Sequence, residues 1–402
     1  MGFADVVADK VFHDLVLARV LEPTSEKDSL RVLDEAGVAA VSYPTLKRHL
    51  PKFAAGEFRA VVASACAARA GVGPAALAFY DVTTLCFETD EGDGFREPGF
   101  SKERRLEPQI TVGLLTDRSG MPLTVDAFEG NKAETKTMIP VVKSFTAAHG
   151  ISGVTVVADA GMLSEANPKD VEDAGWSLIV GGRPPEVPYQ AAEWQRAHPG
   201  QQPAGKLVLS QPTPMGPKAD QRRRTTCYQY KLDRAKRALH GIDAQIGKAE
   251  KAVAGKAPVK RNRFVVLEGA RKPVNRQLEA KARALAGWKS YVTNLNDADP
   301  AFVIGAHHEL WHVERAFKMS KHDLRARPIY HHKQESTQAH LTIVFAALAI
   351  SRWLEQQTGW TIKRLVKTPR RYRTDTIRVG NHTFQAQPDI PDDIRDLLQH
   401  IT

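Results

Sequence analysis

The spacing of apolar positions changes along the chain, and each change marks a change of element. From Val6 to Glu22 (VVADKVFHDLVLARVLE) and from Glu57 to Gly71 (EFRAVVASACAARAG) apolar residues recur every three or four positions, which predicts helices. Between them SYPTLKRHL reads as a turn into a short basic helix. The pair fits a plain helical bundle, with a helix-turn-helix-like arrangement as the alternative. From Leu77 the runs become short and β-branched. LAFYDVTTLCFE, QITVGLLTD and PLTVDAFEG predict three strands, joined through turn-rich segments that include DRSGMP, and the simplest pairing is an antiparallel meander. KAETKTMIPVVKSFTAAHG then predicts a helix, GVTVVADAG a strand, SEANPKDVEDAG a helix and WSLIVGG a strand. That alternation implies parallel pairing with right-handed crossovers. The expected fold class is therefore α/β, with a mixed five-stranded sheet, three strands antiparallel and two parallel, flanked by helices.

After Gly182 the alternation stops for about a hundred residues. RPPEVPYQ and HPGQQPAG read as loops, KLVLSQ and RFVVLEG as candidate strands, and DRAKRALHGIDAQIGKAEKAVAGK as a basic helix, so the stretch predicts an inserted basic subdomain. SYVTNL reads as a strand returning to the core. Asp299 and Pro300 supply an N-cap and a first-turn proline for a helix bearing Glu314. QAHLTIVFAALAISRWLEQQ predicts an apolar helix packed on the sheet. The chain thus divides into a helical N-terminal region (1–76), a core in two parts (77–182 and 291–360), the insertion (183–290) and a basic tail (361–402).

Composition narrows the class. At 402 residues, with 42% hydrophobic and 25% charged residues, the chain is long enough to bury a large core. The formal net charge of +10 favours a polyanionic partner such as nucleic acid. Its carriers include the run QRRR at 221–224 (Arg222, Arg223, Arg224), the cluster KAPVKRNR, and IKRLVKTPRRYR in the tail, with Arg370 and Arg371. Each reads either as a phosphate-contacting strip or as a solvated surface. Cys66, Cys86 and Cys227 are odd in number and show no zinc-type spacing, so neither a disulfide framework nor a zinc module is expected. The longest apolar run, LTIVFAALAI, is too short to span a bilayer, and no signal-peptide pattern opens the chain. A cytoplasmic location is expected.

Three acidic residues far apart in sequence carry the candidate chemistry. Asp81 interrupts one apolar strand, and Asp159 ends another just before Ala160 and Gly161. If the two strands are neighbours, their carboxylates lie near one sheet edge and suit a hard divalent cation such as Mg²⁺, which prefers carboxylate oxygen. Two such ions about 4 Å apart support in-line phosphoryl transfer. Glu314 stands at the margin of the apolar stripe Leu310, Val313, Phe317 and Leu324, with Lys318 and Lys321 one and two turns further on, placed to hold a phosphate. Taken singly, each Asp also reads as a turn cap, and Glu314 with Lys318 as a surface pair.

Several motifs occur together and in order: DVTTL, then GFSKERRLEPQITVGLLTDRSGMPL, then VVADAGM, then the segment around WHVERAFKMSKHDLRARPIYH. In this the chain, from residue 77 to about 357, resembles the DDE transposases of bacterial insertion sequences, in the insertion-sequence-four superfamily. The resemblance implies an RNase H-like core with an insertion before the glutamate helix, and it gives Asp81, Asp159 and Glu314 the role of a metal-binding catalytic triad. It further implies Mg²⁺ as cofactor with Mn²⁺ as a substitute, double-stranded transposon-end and target DNA as partners, and a homodimer in the synaptic complex. The implied activity is cleavage at terminal inverted repeats followed by strand transfer. In the superfamily's third motif the lysine falls on Lys321, whereas the tyrosine position holds His307 and the arginine position Leu310. Such relatives tend to begin well before a segment like GFADVVADKVFHDLV, which leaves open the loss of an N-terminal DNA-recognition region. A catalytically silent repeat-DNA-binding descendant and another RNase H-like nuclease are the alternatives. The intact acidic residues oppose the first, and the insertion and the WHVERAF helix oppose the second.

Overall fold

The structure is a computed structural model. It describes residues 6–73, 76–89, 91–100, 106–162, 166–182, 184, 186–199, 201, 203–213, 221–256, 258, 262–266, 273–327, 329, 331, 333–372, 374–386 and 388–399. The chain divides into two compact units, one of residues 1–156 and 310–402, the other of residues 157–309.

In the first unit, helices α1 (Lys10–Leu21), α2 (Ser29–Glu35), α3 (Tyr43–Ala54) and α4 (Gly56–Ala70) form the predicted bundle. Phe12, Phe53 and Phe58 lock its centre, with ring centroids 4.9–5.3 Å apart. The basic segment after Ser42 is helix α3. Its Leu46, Leu50 and Phe53 are buried while Lys47 and Arg48 face solvent. Strands β1 (Leu77–Cys86), β2 (Gln109–Thr116) and β3 (Pro122–Glu129) make the expected antiparallel meander, with Asp81 opposite Leu114 and Gly113 opposite Asp126. Helix α5 (Met138–His149) leads to β4 (Thr155–Ala158), and the N–H of Thr155 donates to the carbonyl of Ala76, so β1 and β4 start level.

In the second unit, α6 (Ala166–Asp173) precedes β5 (Ser177–Gly182), and α7 (Tyr189–Ala197) leads into β6 (Lys206–Pro212) and β7 (Thr225–Lys231). Helix α8 (Leu232–Val253), α9 (Arg276–Ala284), β8 (Trp288–Thr293) and α10 (Pro300–His308) follow. The sheet has eight strands, in the hydrogen-bonded order β3-β2-β1-β4-β5-β8-β7-β6, and not the five expected from sequence. The cause lies in the insertion. Its β6–β7 hairpin adds to β8, and TTCYQYK, polar to the eye, buries Cys227, Tyr228 and Tyr230, with both tyrosines against Trp288. RFVVLEG, in turn, is not a strand where it is described. Phe264 and Val265 pack with Ile242 and Ile246 of α8, and Val265 makes an isolated bridge to Val274.

The first unit closes with α11 (Trp311–Lys318), a five-residue π-type turn (Met319–Asp323), α12 (Gln334–Thr358), α13 (Ile362–Lys367), the hairpin β9 (Asp375–Val379) and β10 (His382–Ala386), and α14 (Asp392–Gln399). The single glutamate helix expected from Asp299 onward is two helices, α10 and α11, separated at Glu309 and Leu310. Asp299 does cap the first, accepting a hydrogen bond from the Ala301 N–H. Helix α12 is buried on most of its circumference from Thr337 to Leu354. No helix of the described residues is long and apolar enough to cross a membrane, and none of the three cysteines forms a disulfide.

The run at 221–224 is not a uniform solvated strip. Arg224 is buried and its guanidinium donates to both carboxylate oxygens of Glu172 on α6, at 2.7 and 3.0 Å. Arg222 reaches Glu172 and Asp173 at 3.4 and 2.6 Å. A two-pronged pair shielded from water holds α6 to the start of β7, and of the three arginines Arg223 is exposed, Arg222 half-buried and Arg224 buried. Removing one partner strands the other as a buried charge. Arg224→Ala is therefore expected to cost about 3 kcal/mol of folding stability, read as a lowered urea midpoint, whereas Arg223→Ala leaves the midpoint unchanged. Equal midpoints for both variants would show that the pair does not hold the unit.

Candidate functional site

Asp81 sits in the middle of β1, where Phe79, Tyr80, Val82 and Leu85 are buried and Asp81 itself is half-buried. Its strand neighbour Tyr80 lies over β2, where a Cβ on Gly113 would stand 2.1 Å from the tyrosine hydroxyl. Glycine at that position is what admits the ring. Burial pushes the Tyr80 phenol up, with the carboxylates of Asp126, Asp81 and Glu134 adding to the shift. Asp126, next to Gly113 on β3, pairs with Arg59 of α4 at 3.2 Å. Desolvation raises its pKa, and the arginine opposes that shift. Asp81 thus belongs to an acidic, partly desolvated stretch of sheet. Asp126 does not stand out in the sequence, because PLTVDAFEG reads as plain alternation.

Helix α11 packs against β1 and β2 through Val313, Ala316 and Phe317. Glu314 lies in the first turn of that helix, where the aligned peptide dipoles favour a negative charge. Its side chain is exposed, beside the exposed ring of Trp311. Lys318 is exposed one turn later, and Lys321 is half-buried in the π-type turn. Arg315 is tied to Glu355 of α12 at 2.8 Å, which fixes the rotation of α11 and hence the side to which Glu314 points. The structure therefore brings the helix of Glu314 onto the strand of Asp81.

Asp159, in the other unit, directly follows β4 and is exposed at the start of a 3-10 turn, Ala160–Met162. Its charge acts electrostatically on His307 of α10. That ring is buried between Gly181 and Tyr291, with a 5.0 Å edge-on contact to the tyrosine. A Cβ on Gly181 would fall 2.0 Å from His307 Nε2, so the histidine occupies space that only glycine leaves. Desolvation pushes the imidazole down to about 4, against the opposing charge of Asp159, and His307 is neutral at physiological pH. Its Nε2 has no hydrogen-bond partner among the described residues. The sequence marks His307 only as a departure from a motif; its contact with Gly181 is not legible there.

Of the basic residues, Arg371 is exposed and Arg370 pairs with Glu22 at 3.1 Å, both in the turn Pro369–Arg371. The donor chemistry fits a hard divalent cation. Asp159 and Glu314 are exposed carboxylates tied by no hydrogen bond or ion pair to a described residue, and Asp81 is half-buried on its strand.

The family described as the transposase DDE domain matches residues 77–350. No curated protein matches the chain. Solved structures similar to it include two transposase–DNA complexes. A piggyBac transposase synaptic complex with hairpin DNA is 11% identical, with a TM-score of 0.46 over 89% of this chain and 68% of that one. A Mos1 transposase paired-end complex with the left transposon end is 15% identical, with a TM-score of 0.19 over 44% of this chain and 56% of that one. Since the family match spans more than half of the 402 residues, the chain belongs to the transposase DDE domain family.

Proposed function

We propose that this chain is a Mg²⁺-dependent transposase of the insertion-sequence-four type, with an RNase H-like core, that binds terminal inverted repeats, cuts at the element's ends and joins them to target DNA. Asp81, Asp159 and Glu314 are its metal-binding and catalytic residues, and it works in the cytoplasm as a homodimer in the synaptic complex. The observation that carries the reading is the packing of α11 on β1, which holds an exposed Glu314 in a helix first turn over the strand of Asp81.

Bound divalent ions supply activation of the attacking oxygen and stabilisation of the leaving one. The chain's own groups do the rest. The three carboxylates bind the ions. Lys318 and Lys321 hold a DNA phosphate beside it, while Arg223, Arg370 and Arg371 neutralise backbone charge further along the duplex. Neutral His307 carries no positive charge to compete with a cation for Asp159.

Asp81→Ala, Asp159→Ala or Glu314→Ala is expected to lower strand cleavage at least about a thousandfold while leaving affinity for end DNA within about threefold. The check is a cleavage assay beside a binding isotherm, and near wild-type cleavage by any one variant removes that residue from the site. Charge reversal at Arg223 and Arg371 is expected to shift the slope of log affinity against log salt by about one unit for each phosphate left without its cation. An unchanged slope makes these residues ordinary surface. Millimolar Mn²⁺ is expected to raise the melting temperature of the wild type and not of the Asp81→Asn, Asp159→Asn double variant, since ions that bind only the folded site stabilise it. Equal shifts in both would remove the two aspartates from the metal site.

A further inference from the structure

A second cluster of ligating groups lies in the first unit, away from the residues of the proposed catalytic site. Glu26 sits in the link between α1 and α2, His331 in the segment before α12, and His340 on α12 itself. Glu26 Oε1, His331 Nε2 and a ring nitrogen of His340 lie within 4.8 Å of one another. His331 Nε2 stands 2.6 Å from Glu26 Oε1, and His340 Nδ1 stands 3.8 Å from the same oxygen.

The tautomer of His340 follows from its other nitrogen. Nε2 is 3.2 Å from the carbonyl of Ala326, which only accepts, so Nε2 carries the proton and donates it. Nδ1 then turns a lone pair toward a carboxylate oxygen too far away for a hydrogen bond. Two acceptors face each other inside the protein, and the His340 side chain is only 5% exposed. A cation between them would give Nδ1 a partner and share the oxygen that His331 Nε2 contacts. An imidazole held through its second N–H by a backbone carbonyl is also how metal-ligating histidines are usually oriented. A cavity of about 370 Å³ opens beside the cluster, lined in addition by Arg19, Thr24, Ser25 and Arg325, with room for a water ligand and a route of entry.

We propose that Glu26, His331 and His340 form a second divalent-cation site, selective for a borderline ion such as Zn²⁺ over Mg²⁺, that ties the N-terminal helices to α12. The donor set is two imidazoles and one carboxylate, which suits Zn²⁺ and not the all-oxygen preference of Mg²⁺. Arg19, buried and electrostatically coupled to Glu26, weakens the attraction for any hard cation that binds by charge alone. Tetrahedral ligands about 2.0–2.1 Å from zinc lie about 3.3 Å apart. Loading the site therefore opens the 2.6 Å contact of His331 and closes the 3.8 Å gap to His340, adjustments within reach of the Glu26 torsions. The tie spans 305 residues of sequence between Glu26 and His331.

The test uses the full chain carrying Asp81→Asn, Asp159→Asn and Glu314→Gln, so that metal at the proposed catalytic carboxylates does not contribute, after removal of bound ions with a chelator. Titration with Co²⁺ is expected to show one equivalent with the visible absorption of a low-coordinate site. Zn²⁺ displaces it and raises the melting temperature, and Mg²⁺ does neither. Adding His331→Ala or Glu26→Gln is expected to weaken Co²⁺ binding by about 100-fold or more. Both residues line the cavity and are less buried than His340, and circular dichroism is the check that the variants fold, which His340→Ala, in the core, does not guarantee. Failure to bind an equivalent of Co²⁺, or binding unchanged by either substitution, overturns the proposal and leaves a His331–Glu26 hydrogen bond.

Discussion

Burial of helix α12 is the constraint on which the first unit depends. A helix apolar on most of its surface must be enclosed, and α1, α3, α4, β3 and α13 enclose it. Enclosure carries polar groups inward with it. Arg352 is buried on α12, and its guanidinium donates to the Ser119 carbonyl at 2.6 Å while facing Glu355 at 3.4 Å. Glu355 in turn accepts from Arg315 on α11. One buried arginine and one carboxylate thereby link the turn between β2 and β3, the central helix and the helix that carries Glu314. Desolvation draws the Arg352 pKa down, and the charge of Glu355 opposes that shift. The angle at which Glu314 is offered is therefore set from beneath, by core packing.

The surroundings of Asp81 follow a similar logic. A carboxylate in the middle of a strand is tolerated because its neighbours turn inward and it does not. Tyr80 fills the space over Gly113, and Arg59 partly compensates the desolvated Asp126 on the next strand but one. Arg59 is itself buried, and burial lowers its pKa while Asp126 raises it. Such a pair holds α4 on β3 with little surplus of charge, so the local field at β1 stays negative. That field attracts cations, and it makes an ionised cluster costly without them.

Much of this was legible in the sequence where pattern and burial coincide. The meander, the buried helix 334–358, and the placing of Asp81 on a strand, Asp159 after a strand and Glu314 on a helix follow from spacing alone. Legibility fails where one pattern serves two environments. TTCYQYK looks polar, yet its tyrosines and cysteine are buried because they face Trp288 from a neighbouring strand. RFVVLEG looks like a strand, yet Phe264 and Val265 satisfy the apolar face of α8. Val303, His307, Leu310, Val313 and Phe317 are buried at three- and four-residue spacing, so the period gives no sign of the break between α10 and α11. Glu26 and His331 meet across 305 positions, a separation that no local pattern encodes.

The charge run at 221–224 shows why basic stretches mislead. A basic run in the sequence does not show where its partners come from, and in QRRR two of the three arginines are engaged by Glu172 and Asp173, acids some fifty residues earlier. For Arg224 the desolvated, two-pronged contact outweighs anything a mobile phosphate offers at the surface, because leaving it would strand Glu172 in a water-poor site. Exposed groups such as Arg223, Lys318 and Arg371 differ from Arg224 in that charge and solvent access coincide there.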